Sequence, residues 1–196
     1  LMEQFNQLIT QELQNLDHII RTDLDSRVPL INTIGEYIIA GGGKRVRPLL
    51  AILCGKLLGN ESQLLYKMAA MIEYIHTATL LHDDVVDESG LRRGRATANA
   101  IFGNAASVLV GDFIYTRAFQ MMVASDSMKV LKIMADSTNI ISEGEVMQLL
   151  NIGRSDLTEK EYFQVIESKT AKLFEASGRV AAIISGASEA EEDHLA

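Results

Sequence analysis

Only two prolines, Pro29 and Pro48, interrupt the 196 residues of the chain. Proline removes an amide donor and clashes with the preceding turn, so a chain this poor in it can stay helical for most of its length. Apolar residues recur at helical spacing nearly throughout, and no strand-like alternation persists. The pattern predicts an all-α fold, with helices over residues 3–23, 30–40, 46–58, 62–88, 105–123, 127–151, 159–168 and 170–185, and a last one from 189 onward. Thr158 with Glu161, and Ser188 with Glu191, have the spacing of a capping box at a helix start. Breaks fall at Gly41, Gly42 and Gly43, and at Gly59, Gly90, Gly94 and Gly153. No repeat, low-complexity tract or linker divides the chain, so residues 1–196 read as a single domain.

Apolar residues make up 47% of the chain, enough for a packed core. The net charge is −8 with no long basic run, which argues against nucleic acid as a partner. Cys54 is the only cysteine, so no internal disulfide forms; this fits a reducing, cytoplasmic setting. The opening "LMEQFNQLITQELQNLDHII" alternates polar and apolar at helical spacing rather than as a cleavable signal. No apolar stretch reaches the roughly eighteen residues of a membrane span. Two segments, "MAAMIEYIHTATLL" and "AASVLVGDFIYTRAFQMMV", are apolar almost all round, as helices are in a core or at a subunit interface.

The first of these helices ends in "HDDVVDESGLRRGR". Asp83 and Asp87 share a helix face, with Asp84 beside them. Three carboxylates in one turn repel each other, and the negative end of the helix dipole opposes them as well. Broken local rules of this kind point to a site. A divalent cation relieves both conflicts: carboxylate oxygens one turn apart suit magnesium, which keeps water and takes phosphate oxygens as further ligands. A frayed acidic helix end is the other reading. Seven residues back along the same face stands His76, with Thr79 and Leu80 between. Beyond the aspartates come Arg92 and Arg93, whose guanidinium groups suit phosphate oxygens or could simply pair with the acids. A second basic cluster, Lys44, Arg45 and Arg47 in "GGGKRVRP", follows a glycine run at a helix start, an anion-binding arrangement. An acidic metal site, two basic clusters and an apolar helix suit substrates with a diphosphate head and a greasy tail. Asp112 in "VGDF" reads as a buried structural acid.

The ordered segments "GGKRVRP", "HDDVVDESGLRRGRAT", "LVGDFIYTRAF", "ISEGEVMQL" and "ESKTAKLF" resemble the trans-isoprenyl diphosphate synthases, specifically the long-chain polyprenyl diphosphate synthases. The likeness runs from Gly42 to Phe174. It implies an isoprenoid-synthase-type helical bundle with a central apolar cavity. Activity would be Mg2+-dependent chain elongation, condensing isopentenyl diphosphate with an allylic diphosphate such as farnesyl diphosphate into a long all-trans product for quinone side chains. A homodimer is implied as well. Asp83 and Asp87 would ligate magnesium, with Asp84 supporting. Arg92, Lys169 and Thr170 would contact the allylic diphosphate. Lys44, Arg47, His76 and Arg93 would hold isopentenyl diphosphate, and Gln148 would lie near the reacting carbons. A short-chain synthase, a terpene cyclase or a non-catalytic diphosphate-binding subunit remain alternatives, although two basic clusters fit two diphosphates better than a cyclase.

Product length would follow from what blocks the tail as it runs back along the aspartate helix. A helical turn rises about 5.4 Å, close to one extended isoprene unit. The small residues Ala78 and Thr79 leave the way open toward Ile75, Tyr74 and Met71, with Met121, Met122 and Met134 as a deeper floor. The family carries a second Asp-rich motif further along, which this chain lacks. The resemblance therefore implies that the 196 residues are an N-terminal part without the C-terminal helices, and inactive alone.

Overall fold

Short polar residues cap five of the helices among the described residues. Ser62 accepts a hydrogen bond from the Leu65 amide, and Thr97 and Ser127 do the same for Ala100 and Val130. Thr158 and Ser188 form complete capping boxes with Glu161 and Glu191, as their spacing predicts. Each satisfies amide donors that a helix start leaves unpaired. Pro29 stands in the first turn of its helix, where its missing donor costs nothing.

The computed structural model describes residues 2–196, apart from the side chains of residues 2 and 4–6. The order is α1 (Met2–Asp23), α2 (Pro29–Ala40), α3 (Val46–Leu57), α4 (Gln63–Val86), β1 (Leu91–Arg92), β2 (Arg95–Ala96), α5 (Ala98–Phe102), α6 (Asn104–Ala124), α7 (Met128–Asn151), α8 (Glu159–Ile166), a π-helical turn (Glu167–Ala171), α9 (Lys172–Ile184) and α10 (Glu189–His194). The fold is all-α, as the periodicity predicts. The hairpin β1–β2 and the short α5 were not anticipated. α8 and α9, expected as separate helices, are joined through the π-turn.

The helix α4 is the axis of the packing. It lies most extensively against α6 and also touches α1, α3, α5 and α9. Ala69, Ala70, Met71, Ile72, Ile75, Ala78 and Leu81 are all buried. The α4–α6 contact is close because Gly111 has no side chain: a Cβ there would fall 2.4 Å from His82 Nε2. Ser107 Oγ donates to Leu81 O across the same seam at 3.1 Å. About two turns back along α4, Tyr74 donates to Ile20 O at 2.6 Å, bolting α1 to α4. The second apolar segment, α6, is buried on one side only; Val108, Leu109, Phe119 and Val123 are exposed. Of the two places expected for such a helix, α6 occupies the core with one face and leaves the other face apolar and exposed. Among the described residues no helix is long and apolar enough to cross a membrane.

Candidate active site

Buried on almost every side, α4 has one accessible stripe. His76, Thr79, Leu80 and Asp83 are half-buried and Asp87 is exposed, while the residues between them are mostly enclosed. At 3.6 residues per turn these positions fall on one line along the helix. The stripe therefore links two polar ends across a short apolar stretch.

At the C-terminal end, Asp83 meets α7 and the π-turn. Lys169 Nζ lies 3.3 Å from Asp83 Oδ2 and 2.6 Å from Glu145 Oε2. Burial pushes the Asp83 carboxyl up, Lys169 opposes this, and the neighbouring Asp87 adds to it. Burial alone would lower the pKa of Lys169, but Glu145 and Asp83 together hold it above its ordinary value. Gln148, Lys169 and Thr170 line one opening with Tyr162 and Ile166. No group of three or more His, Cys, Asp or Glu side chains among the described residues is arranged to close a metal site unaided. Two hard carboxylates on an accessible stripe nevertheless fit magnesium, which completes its shell with water and phosphate oxygens.

At the other end, Lys44, Arg47, His76 and Arg93 line a second pocket together with Arg45 and Glu73. Arg47 sits over the Phe174 ring at 4.4 Å and reaches His76 Nε2 at 3.5 Å, leaving its buried Nε without a protein partner. Burial lowers the Arg47 pKa, with Glu73 offsetting part of the effect. Arg45 takes a left-handed φ of 48° and pairs with Glu73, whose burial pushes that carboxyl up. Buried charges of this kind persist only when paired. Arg93 occupies, with Gly94, the tip of the β1–β2 hairpin; both have positive φ, 53° and 75°, as a type I′ turn requires. From there its guanidinium donates to Gly42 O, tying the hairpin to the glycine loop.

Asp84 and Arg92 are brought to each other rather than to the stripe. Arg92 Nε donates to both Asp84 oxygens at 3.0 and 3.1 Å, and Nη2 donates to Oδ1 at 2.8 Å. Among the tunnel candidates only Thr79 lies on the stripe. Ala78, Ile75, Tyr74, Met71, Met122 and Met134 are all buried, and Met121 nearly so. Asp112 is not the buried acid its sequence context suggests. It is 60% exposed and stands 3.3 Å from His82 Nε2, because α6 turns that side outward. Sequence reasoning missed Glu145, Glu73 and Phe174. Glu73 had a signal: it is the lone acid inside the apolar run of α4.

The same burial makes His76 a pH-sensitive element. Burial first, then Arg47, Arg93, Arg92 and Arg45, push its pKa down to about 4. In the unfolded chain imidazole takes a proton near 6.5, so proton uptake between those values favours unfolding. Lowering pH from 7 to 4 should cost up to about 3 kcal/mol through this residue. Urea denaturation at both pH values checks this, and His76→Gln should lose less stability on acidification than the wild type.

The polyprenyl synthetase family model matches residues 28–196. The octaprenyl diphosphate synthase of Escherichia coli (strain K12) is 55% identical over 194 residues, covering 99% of this chain and 60% of the relative. The all-trans-nonaprenyl-diphosphate synthase (geranyl-diphosphate specific) of Rhodobacter capsulatus is 45% identical over 188 residues, 94% of this chain and 57% of the relative. The chain thus spans less than two thirds of the length of these curated relatives. A crystal structure of polyprenyl synthase from Caulobacter crescentus CB15, complexed with calcium and isoprenyl diphosphate, superposes with a TM-score of 0.92. It is 43% identical and covers 96% of this chain and 58% of that one. On the sequence match, the shared fold and the ordered motifs, the chain belongs to the polyprenyl synthetase family.

Proposed function

We propose that the intact protein is a Mg2+-dependent chain-elongating prenyltransferase that condenses isopentenyl diphosphate with an allylic diphosphate, farnesyl diphosphate for preference, into a long all-trans polyprenyl diphosphate for quinone side chains. The observation that carries this is the pair of charged ends on one α4 stripe: Asp83 with Lys169 at one end, and Lys44, Arg47, His76 and Arg93 at the other. Two diphosphate heads and an apolar stretch between them suit that geometry. The Caulobacter relative, solved with calcium and isoprenyl diphosphate, supports a reading in which such a protein takes both a divalent ion and a diphosphate. We also infer a cytoplasmic homodimer, for which the exposed apolar side of α6 is the supporting surface.

In this reading Asp83 and Asp87 would hold magnesium, which when bound would supply positive charge against the leaving diphosphate. Lys169, Thr170 and the free edge of Arg92 donate to the same oxygens. The carbon–oxygen bond to that diphosphate breaks, leaving an allylic cation. Lys44, Arg47 and Arg93 grip isopentenyl diphosphate while neutral His76 accepts from Arg47, fixing its orientation. The double bond attacks the cation, a carbon–carbon bond forms, and a proton passes to the released diphosphate. Thr79 and Leu80 keep water from the cation, and Gln148 stands near the reacting carbons.

Turnover of farnesyl and isopentenyl diphosphates by the intact protein, with and without Mg2+, tests the reaction; no magnesium-dependent product would sink it. Product chromatography tests the tail channel. Ala78 stands one turn before His82 on the α4 face that packs on α6, so Ala78→Phe is expected to shorten the product by several five-carbon units. Overpacking costs about 1–3 kcal/mol, so thermal stability is read alongside. An unchanged product from a folded variant would discard the channel.

A further inference from the structure

Lys169 lies where a cation bound by Asp83 would lie. The π-turn that carries it approaches α7 closely because residue 144 is glycine: a Cβ there would fall 2.8 Å from Ser168 Cβ and 2.9 Å from Lys169 N. That approach lets one ammonium reach carboxylates of two helices, Glu145 on α7 at 2.6 Å and Asp83 on α4 at 3.3 Å. The contacts are unequal. Lys169 is anchored on Glu145 and leans on Asp83, so it can leave Asp83 without losing its anchor. A magnesium ion about 2.1 Å from an Asp83 oxygen would repel an ammonium 3.3 Å from Oδ2 of the same carboxylate, so the two cations compete for it.

We propose that Lys169 is a resident counter-cation for Asp83, exchanged when a divalent ion enters the aspartate site, and that Glu145 is the positioning residue that keeps the displaced ammonium beside the arriving diphosphate. The inference rests on the reading of Asp83 and Asp87 as metal ligands. It makes the metal and the lysine competitors before substrate binds and allies afterwards. In the absence of diphosphate, Asp83 is already neutralised and the metal binds weakly. Once a diphosphate is present, the released ammonium gains phosphate oxygens as partners, and ion and substrate bind together.

Mn2+ binding to the intact protein, followed by electron paramagnetic resonance, tests this with a readout independent of turnover. Without diphosphate, Lys169→Gln and Lys169→Met should each bind Mn2+ roughly tenfold more tightly than the wild type. With inorganic pyrophosphate added, the order should reverse, the wild type retaining Mn2+ and pyrophosphate more tightly. Glu145→Gln should weaken Mn2+ binding in the wild-type background and leave it nearly unchanged in Lys169→Gln, the coupling expected if Glu145 acts through the lysine. Affinities within twofold of wild type for both lysine variants overturn the inference alone. A wild type that binds no Mn2+ even with pyrophosphate present, or whose Mn2+ binding survives Asp83→Asn unchanged, overturns the aspartate reading and the inference with it.

Discussion

Asp83→Asn in the intact protein is expected to lower turnover roughly a hundred- to a thousandfold, the usual cost of removing one group that stabilises charge developing in the transition state. The substitution keeps the shape of the side chain and removes its charge. Asp83 is the half-buried acid of the stripe, and it faces the Lys169 ammonium. Folding should change little, because the pair it breaks is partly solvated and anchored on Glu145 instead. Asp87→Asn should act in the same direction but less strongly, since that carboxylate is exposed at the helix end. Asp112→Asn is the control: an exposed acid on α6, away from the stripe, whose loss should leave kcat unchanged. The measurement is steady-state turnover as a function of Mg2+ concentration. An Asp83→Asn enzyme within threefold of wild type at every magnesium level would remove the aspartates from the reaction.

What the sequence reveals and conceals follows from the length scale of each signal. Helix periodicity is repeated over many turns in α4, α6 and α7, so their positions are legible to within a few residues. The stripe is legible too, because His76, Asp83 and Asp87 obey the same period. The β1–β2 hairpin is not: its strands are two residues each, too short to alternate, and its tip is Arg93–Gly94. An arginine in the left-handed region is uncommon, and Asn or Asp is the usual first residue of such a turn. The π-turn escapes as well, because one extra residue in a helical turn leaves no compositional mark. Asp84 and Asp83 are adjacent and look equivalent in sequence, yet a rotation of about 100° sends one onto Arg92 and the other onto the stripe. Glu145 and Phe174 act by contacts between helices distant along the chain, which no local pattern encodes.

Arg92→Leu should destabilise the fold more than Asp84→Asn does, although both break the same ion pair. The Asp84 side chain is 3% exposed and that of Arg92 36%. Removing the arginine strands a carboxylate in the interior, at a cost of about 3–5 kcal/mol. Removing the charge at residue 84 leaves a guanidinium that reaches water, and asparagine still offers it an acceptor, so about 1 kcal/mol is expected. The pair also secures a hairpin whose two-residue strands cannot stand alone. Its other attachments include single hydrogen bonds from Tyr37 Oη to Ala96 O at 2.6 Å, from Thr97 Oγ1 to Ser89 O at 2.7 Å and from the Arg93 guanidinium to Gly42 O. Urea denaturation of the two variants measures the asymmetry, and an Arg92→Leu that costs less than Asp84→Asn would refute it. Replacing both residues by leucine removes the stranded charge and should recover much of the stability. If Arg92 also donates through Nη1 to the allylic diphosphate, that stable double variant will still turn over slowly, because the fork is gone and so is the hand that grips the substrate.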